Sequence, residues 1–145
     1  MFTLTPPVRN RRSLRGAPGM RATETIISII DDDESMRNSL AGLVRSVGWK
    51  ALVFATAEEF IESGVYLDTD CVVTDIQMPG LSGLELKDWL TEHSSAAPVI
   101  LITARSEKHL RTQALASGAF CFLEKPFASS TLLSCIGKAL LKTPL

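Results

Sequence analysis

The sequence contains no apolar run long enough to cross a bilayer, and its N-terminus lacks the charged-then-apolar order of a secretory signal. We therefore expect a cytoplasmic protein that does not contact a membrane. The composition, with 46% apolar and 21% charged residues over 145 positions, is that of one globular domain able to bury a core.

Cysteine is scarce, with three residues in the whole chain. Cys71, Cys121 and Cys135 are odd in number and widely separated, and no C-x-x-C spacing or histidine cluster accompanies them. These absences leave a redox role or a zinc site poorly supported. We expect buried free thiols, since each cysteine stands in an apolar context.

Glycine is absent from the turn after the first apolar run, IISII at residues 26–30, where four acids stand instead. A dinucleotide-binding domain needs glycines at that turn to admit phosphate, and acids would repel phosphate unless a cation intervened. The sequence therefore argues against such a domain. Two interpretations of the acids stay open: they face water, or they surround a positive charge.

Acidic residues are absent from residues 1–23, which carry five arginines. Proline and glycine without periodicity predict a flexible arm there, either solvated or in contact with nucleic acid or an acidic partner. Residues 24–142 are the predicted folded domain. Beyond residue 23 the chain holds ten basic and sixteen acidic residues, so we do not expect this domain to bind nucleic acid directly.

Strand-like and helix-like segments alternate five times from Thr25 onward. Capping signals that predict helix starts stand at Thr56 with Glu59, at Ser82 with Glu85, and at Ser106. The strand segments are unbroken apolar runs, typical of strands covered on both faces, at residues 25–30, 50–55, 71–74, 97–103 and 119–124. The pattern predicts an α/β fold, a doubly wound parallel sheet with helices on both sides.

Polar side chains capable of chemistry stand at the carboxyl ends of four of these strands, where open parallel sheets place their sites. They are Asp31 and Asp32 after the first strand, Asp75 after the third, Thr103 at the fourth and Lys125 after the fifth. If the first and third strands are neighbours, three carboxylates converge and need a counter-charge. Oxygen ligands at that density suit Mg²⁺. A solvated acidic rim is the alternative.

The same strand ends suit phosphoryl chemistry. Mg²⁺ commonly bridges carboxylates to phosphate oxygens, and Lys125 and Thr103 can hold the remaining oxygens. Asp75, alone at its strand tip before the loop DIQMPGLSG, is the carboxylate best exposed to attack phosphorus. Asp33 and Glu34 are instead expected in the first turn of the following helix. A phosphatase with an aspartate nucleophile would usually carry a second acid two residues on, where this chain has glutamine.

Four segments in order, IIDDDESMRNSL, VVTDIQMPGLSGLEL, VILITA and FCFLEKPF, resemble the receiver domains of two-component response regulators, in particular FixJ-type receivers. The resemblance covers residues 24–142. Asp32 and Asp75 are 43 residues apart, Asp75 and Thr103 are 28 apart, and Thr103 and Lys125 are 22 apart. The resemblance implies the flavodoxin-like receiver fold, a five-stranded parallel sheet of order 2-1-3-4-5 flanked by five helices.

The resemblance also implies a metal site and a phosphoacceptor. Asp75 is the expected phosphoacceptor. Asp32, Asp75 and the main-chain carbonyl of Gln77 are expected to bind Mg²⁺ directly, and Asp31 to act partly through water. The residue two beyond the acceptor varies within the family and tunes the phosphoryl lifetime.

A switch is implied at the other strand ends. Lys125 is expected to pair with the phosphoryl group and to precede Pro126 through a cis peptide bond. Thr103 is expected to turn its hydroxyl toward the phosphate and Phe122, a tyrosine in many members, to turn inward behind it. Together they would bias the surface of the fourth helix, fifth strand and fifth helix.

By this resemblance the protein is a phosphorylation-activated switch and not an enzyme acting on a separate substrate. A sensor histidine kinase or a histidine phosphotransfer protein is the expected phosphodonor, and a homodimer through helices four and five is a further hypothesis. Only a few residues remain after the predicted fifth helix, so we expect no helix-turn-helix segment in this sequence. The chain is thus either a stand-alone receiver or the regulatory part of a FixJ-type transcription factor without its DNA-binding domain. A receiver-like interaction module that works without phosphorylation is the third alternative.

Overall fold

The computed structural model describes residues 24–105 and 108–142. The predicted arm at residues 1–23 and the predicted cap at Ser106 lie outside the described residues. Five strands, β1 to β5, span Ile26–Ile30, Lys50–Phe54, Cys71–Asp75, Val99–Thr103 and Cys121–Glu124. The α-helices in these ranges, α1 to α5, span Glu34–Ser46, Ala57–Ser63, Gly83–Glu92, Lys108–Ala116 and Ser129–Lys142, and a 3-10 turn spans Val65–Leu67.

The strands form one parallel sheet in the order β2-β1-β3-β4-β5. This order confirms the predicted fold class and makes β1 and β3 direct neighbours, with Ile27 opposite Cys71. β2 lies on one side of β1, whereas β3, β4 and β5 lie on the other side, so the strand order reverses between β1 and β3. Doubly wound sheets open a crevice at the carboxyl ends of the strands where this reversal occurs. The fold therefore places any site beside the ends of β1 and β3.

Both faces of the sheet are covered, which explains the unbroken apolar strands. One face packs against α1 and α5, with Ile29 and Ile102 buried beside Val44 and Ile136. The other face packs against α2, α3 and α4, where Phe60, Leu86, Leu90 and Leu110 cover residues such as Leu101. None of the helices within the described ranges is long and apolar enough to span a membrane.

The helix caps follow the sequence closely. Glu34 is the acid of the first turn of α1, as predicted, whereas Asp33 stands one position earlier, as the N-cap, and accepts a hydrogen bond from the Met36 amide. Ser82 and Glu85 form the predicted capping box of α3. At α2 only half of the predicted box forms: Thr56 accepts from the Glu59 amide, but the Glu59 carboxylate accepts from the amide of Ala55.

The three cysteines are free thiols. Cys71 is buried as predicted, whereas Cys121 and Cys135 are half-buried. Cys121 and Cys135 are far apart in the sequence, but β5 and α5 bring them close enough for the Cys135 thiol to help raise the pKa of the Cys121 thiol.

Candidate functional site

Three carboxylates meet at the carboxyl ends of β1 and β3. Asp31 and Asp32 follow β1, and Asp75 is the last residue of β3. One carboxylate oxygen from each lies within 4.8 Å of the others. Because β1 and β3 are adjacent in the sheet, Asp32 and Asp75 lie close together although they are 43 positions apart in the chain.

Asp31 is held in place by its own turn. Its side chain is buried, and Oδ1 accepts a hydrogen bond from the Asp33 amide at 2.9 Å. Oδ2 lies 3.5 Å from Nζ of Lys125, and the main-chain oxygen accepts from Arg37 Nη1 at 2.8 Å. Oδ1 of Asp31 is therefore hydrogen-bonded, Oδ2 has only the ion pair with Lys125, and Asp32 is exposed.

Asp75 has fewer hydrogen bonds to its carboxylate than Asp31, the other buried acid, among the described residues. It is 8% exposed, and its Oδ1 accepts no hydrogen bond from the part of the chain that the structure describes. Oδ2 lies 3.8 Å from Nζ of Lys125. Burial raises the pKa of Asp75 to about 6; the nearby Lys125 lowers this pKa, and the charge of Asp31 raises it further.

The donor set fits a hard divalent cation. All three side chains offer oxygen, and two buried carboxylate oxygens, Asp31 Oδ2 and Asp75 Oδ1, lack hydrogen bonds within residues 24–105 and 108–142. The single ammonium of Lys125 lies near two of the three carboxylates, those of Asp31 and Asp75. Carboxylates in this number need further positive charge, and oxygen-only ligands with room for water suit Mg²⁺. The arrangement is therefore compatible with Mg²⁺ binding.

Lys125 and Thr103 complete the site from the β4 and β5 side. The Lys125 amide donates to the main-chain oxygen of Thr103 at 2.8 Å, and the Lys125–Pro126 peptide is cis, as predicted. Thr103 is fully buried and donates its hydroxyl proton to Oε1 of Gln77 at 2.8 Å. Phe122 points inward, and the guanidinium of Arg111 lies 5.4 Å from its ring centre.

Three residues that support the site were missed by the sequence analysis. Glu58 of α2 accepts a hydrogen bond from the Leu81 amide in the loop after β3. Arg37 donates to the main chain of Asp31. A Cβ at Gly83 would clash with the main-chain carbonyl of Asp75, so α3 can pack this closely only with glycine there. The GLSG segment signals a tight turn, but no sequence pattern signals the other two contacts.

A family model for the response regulator receiver domain matches residues 27–137. The chain belongs to this family. The matched residues include all the site residues described above and every strand of the sheet except Ile26, the first residue of β1. The resemblance predicted from the four sequence segments is therefore confirmed.

Similar proteins support the assignment. The transcriptional regulatory protein FixJ of Azorhizobium caulinodans is 39% identical over 114 residues, which cover 79% of this chain and 54% of FixJ. Nodulation protein W of Bradyrhizobium diazoefficiens is 37% identical over 115 residues, covering 79% and 51%. The crystal structure of FixJ-N matches with a TM-score of 0.78 at 30% identity, covering 84% of this chain and 98% of FixJ-N. The beryllofluoride-activated NtrC4 receiver domain dimer matches with a TM-score of 0.77 at 28% identity, covering 82% and 98%.

This chain is thus a receiver domain of two-component signalling, a switch activated by phosphorylation. Receiver domains interact with histidine kinases or phosphotransfer proteins. The chain spans about half the length of the curated relatives it matches.

Proposed function

We propose that Asp75 accepts a phosphoryl group from a sensor histidine kinase or a histidine phosphotransfer protein. The observation that carries this proposal is the state of Asp75 itself: a buried carboxylate at a strand tip, with Oδ1 unbonded among the described residues and Lys125 3.8 Å from Oδ2. We further propose that Asp32, Asp75 and the main-chain carbonyl of Gln77 bind Mg²⁺, and that Asp31 acts partly through water.

The proposed transfer uses the acids and the ammonium in different ways. A carboxylate oxygen of Asp75 attacks phosphorus while the bond from phosphorus to the donor's imidazole nitrogen breaks; that nitrogen keeps the electron pair and takes up a proton. Bound Mg²⁺ supplies positive charge that neutralises the carboxylates and the phosphoryl oxygens. Lys125 adds an ammonium that is already in place beside Asp75 before transfer.

Thr103 and Phe122 are proposed to carry the state of Asp75 to the surface of α4, β5 and α5. The Thr103 hydroxyl would turn to a phosphoryl oxygen, and the Phe122 ring would follow it. Because Asp75 is phosphorylated and regenerated on the chain itself, the protein is proposed to be a phosphoacceptor and not an enzyme acting on a separate substrate.

Labelling by a small phosphodonor tests the acceptor. Acetyl phosphate with Mg²⁺ should add one phosphoryl group per chain, measured by intact-protein mass spectrometry. Asp75→Asn should abolish labelling, whereas Asp88→Asn, which changes an exposed carboxylate of α3, should leave it unchanged. Undiminished labelling of Asp75→Asn would move the acceptor elsewhere. An unlabelled but folded wild type would favour the phosphorylation-independent interaction module.

Thermal unfolding tests the metal. A ligand at ten times its Kd stabilises the folded state by about 1.4 kcal/mol, which for a domain of this size raises Tm by roughly 3–8 °C. Mg²⁺ should produce such a shift, and EDTA should reverse it. The shift should be small in Asp32→Asn, which keeps the shape of the side chain but removes its charge. An equal shift in that variant would contradict the proposed role of Asp32.

A homodimer through α4 and α5 is proposed for the phosphorylated state. The NtrC4 receiver described above is a beryllofluoride-activated dimer, and the apolar side chains of Leu115 in α4 and Leu141 in α5 are 49% and 87% exposed here. Sedimentation should show a larger particle with beryllofluoride and Mg²⁺, and Leu115→Asp should prevent it. A monomer under both conditions would exclude the dimer.

A second candidate is the regulatory part of a transcription factor. Two of the relatives, FixJ and TdiR, are transcriptional regulatory proteins, and this chain spans about half of their length. The reading frame of the gene tests this proposal: continuation into a helical DNA-binding domain supports it, and a stop codon directly after Leu145 favours the stand-alone receiver.

A further inference from the structure

The hydroxyl of Thr103 already has two partners in this structure. Oγ1 donates to Oε1 of Gln77 at 2.8 Å and accepts from the Arg105 amide at 3.0 Å. A threonine hydroxyl has a single proton, so the proton of this buried side chain is committed to Gln77. Gln77 stands two residues after Asp75 in the loop between β3 and α3, and its side chain is exposed.

A phosphoryl group on Asp75 would compete with Gln77 for that proton. Thr103 cannot donate to a phosphoryl oxygen and to Gln77 Oε1 at the same time. The charged acceptor is the stronger one, because hydrogen bonds to ionised acceptors exceed those between neutral groups. The switch can therefore operate, but each activation must first break the hydrogen bond to Gln77.

We propose that the side-chain amide of Gln77 is a latch that holds Thr103 in its unphosphorylated position and so lowers the affinity of the site for a phosphoryl group. This inference rests on the proposed phosphorylation of Asp75. Gln77 is in this view a positioning residue that acts through Thr103, in addition to the role proposed for its main-chain carbonyl. Lysine or arginine at this position could not form the latch, since neither side chain can accept a hydrogen bond.

A purely structural role explains the contact less well. The ends of β3 and β4 are already joined by the main chain, where the Ile76 amide donates to the oxygen of Ile102 at 2.8 Å. The Gln77 side chain lies at the surface and does not belong to either apolar cluster among the described residues. Its removal should therefore free the Thr103 hydroxyl without loosening the strand ends.

Beryllofluoride, which stands in for a phosphoryl group on a carboxylate, provides the test. Its apparent Kd is measured by NMR titration with saturating Mg²⁺ for the wild type and for Gln77→Met, whose side chain has similar length but accepts hydrogen bonds only weakly. The variant should bind beryllofluoride roughly 2- to 10-fold more tightly, since one hydrogen bond no longer has to be broken. The Mg²⁺ affinity of each variant is measured separately, so that any change in metal binding can be subtracted.

A double-mutant cycle isolates the path through Thr103. In a Thr103→Val background the hydroxyl is gone, and Gln77→Met should then leave the beryllofluoride affinity unchanged. The same fold-change in both backgrounds, or an unchanged or weaker affinity in Gln77→Met alone, would overturn the latch. If the wild type itself bound no beryllofluoride with Mg²⁺, the proposed function would fail and the latch with it; wild-type binding without a Gln77 effect overturns the latch alone.

Discussion

Glu58 Oε2 accepts a 2.9 Å hydrogen bond from the amide of Leu81, and so ties the first turn of α2 to the loop that follows Asp75. Gly80 allows the loop to approach Glu58 closely, because a Cβ at position 80 would lie 2.5 Å from the same Oε2 atom. Gly80 also has a φ of 76°, which disfavours other residues. The contact spans 23 residues of sequence and restrains the segment that carries Gln77.

We expect Glu58→Ala to loosen this loop. The variant leaves the Leu81 amide without its acceptor, which should cost about 1 kcal/mol and speed hydrogen exchange at Leu81. Glu58→Gln keeps an acceptor oxygen and should behave nearly like the wild type. Glu62→Ala changes an exposed carboxylate of the same helix and serves as the matched control. Unaltered exchange at Leu81 in Glu58→Ala would show that the contact does not restrain the loop.

Asp75 should make the stability of the protein depend on pH when divalent cations are removed. Its folded-state pKa of about 6 lies above the ordinary value of 3.8, so the folded state binds this proton more tightly than the unfolded chain does. The contribution of the protonated Asp75 to the free energy of unfolding is therefore fully present below pH 3.8 and is lost as the pH rises through 6. The loss is about 2 kcal/mol, because one pKa unit corresponds to about 1.4 kcal/mol and solvent screening reduces the full amount.

Asp75→Asn tests this pH dependence directly. Asparagine cannot ionise, so the variant should be more stable than the wild type at about pH 7.5 and should lose that advantage toward about pH 4.5. Urea unfolding in EDTA at both pH values measures the difference, and other titrating groups cancel in the comparison. An advantage that is constant across this range would show that the charge of Asp75 is not its cause.

Gly83 and Gly42 offer a matched pair of glycine substitutions. Gly83→Ala places a methyl group against the main-chain carbonyl of Asp75 and should destabilise the fold by about 1–3 kcal/mol. Gly42 in α1 has open space beside its Cα: apart from its chain neighbours and its own helix backbone, no atom of the described residues lies within 4 Å of the position that a methyl group would take. Gly42→Ala should therefore stabilise the fold by about 0.5–1 kcal/mol. Denaturant titration of both variants measures the contrast. Equal effects would contradict the close packing of α3 on Asp75.

Cys121 should react slowly with alkylating reagents although it is partly exposed. Burial and the neighbouring thiol of Cys135 raise the pKa of the Cys121 thiol to about 12, so very little thiolate exists at about pH 8. Iodoacetamide should modify Cys121 at least roughly 100-fold more slowly in the folded protein than in urea. Peptide mass spectrometry over a time course measures both rates. Fast alkylation of the folded protein would mean that β5 and α5 separate readily.

The sequence was sufficient to predict most of the fold. Five unbroken apolar strands, of which Val99–Thr103 is an example, predicted a sheet covered on both faces, and the positions of Asp31, Asp75 and Lys125 followed from where those strands end. These inferences succeed because they depend on the backbone, whose periodicity is visible in the residue pattern.

The contacts that depend on side-chain reach could not be predicted in the same way. The bonds of Glu58 to Leu81 and of Thr103 to Gln77 need particular rotamers on elements far apart in the chain. The Glu59 carboxylate is an example, because it accepts from the amide of Ala55 and not from that of Thr56, the next residue in the chain. The proximity of Cys121 and Cys135 likewise depends on how α5 packs on β5.

The position of β3 between β1 and β4 gives the site two poles of opposite sign. The acids Asp31 and Asp32 arrive from the β1 side, while the hydroxyl of Thr103 and the ammonium of Lys125 arrive from the β4 and β5 side. Lys125 reaches across the divide to Asp31. Each pole belongs to its own strands, so under the proposed function mutation could adjust Mg²⁺ affinity at one pole and the conformational response at the other. Such a receiver could diverge in timing and output while keeping the proposed acceptor, Asp75, between the two.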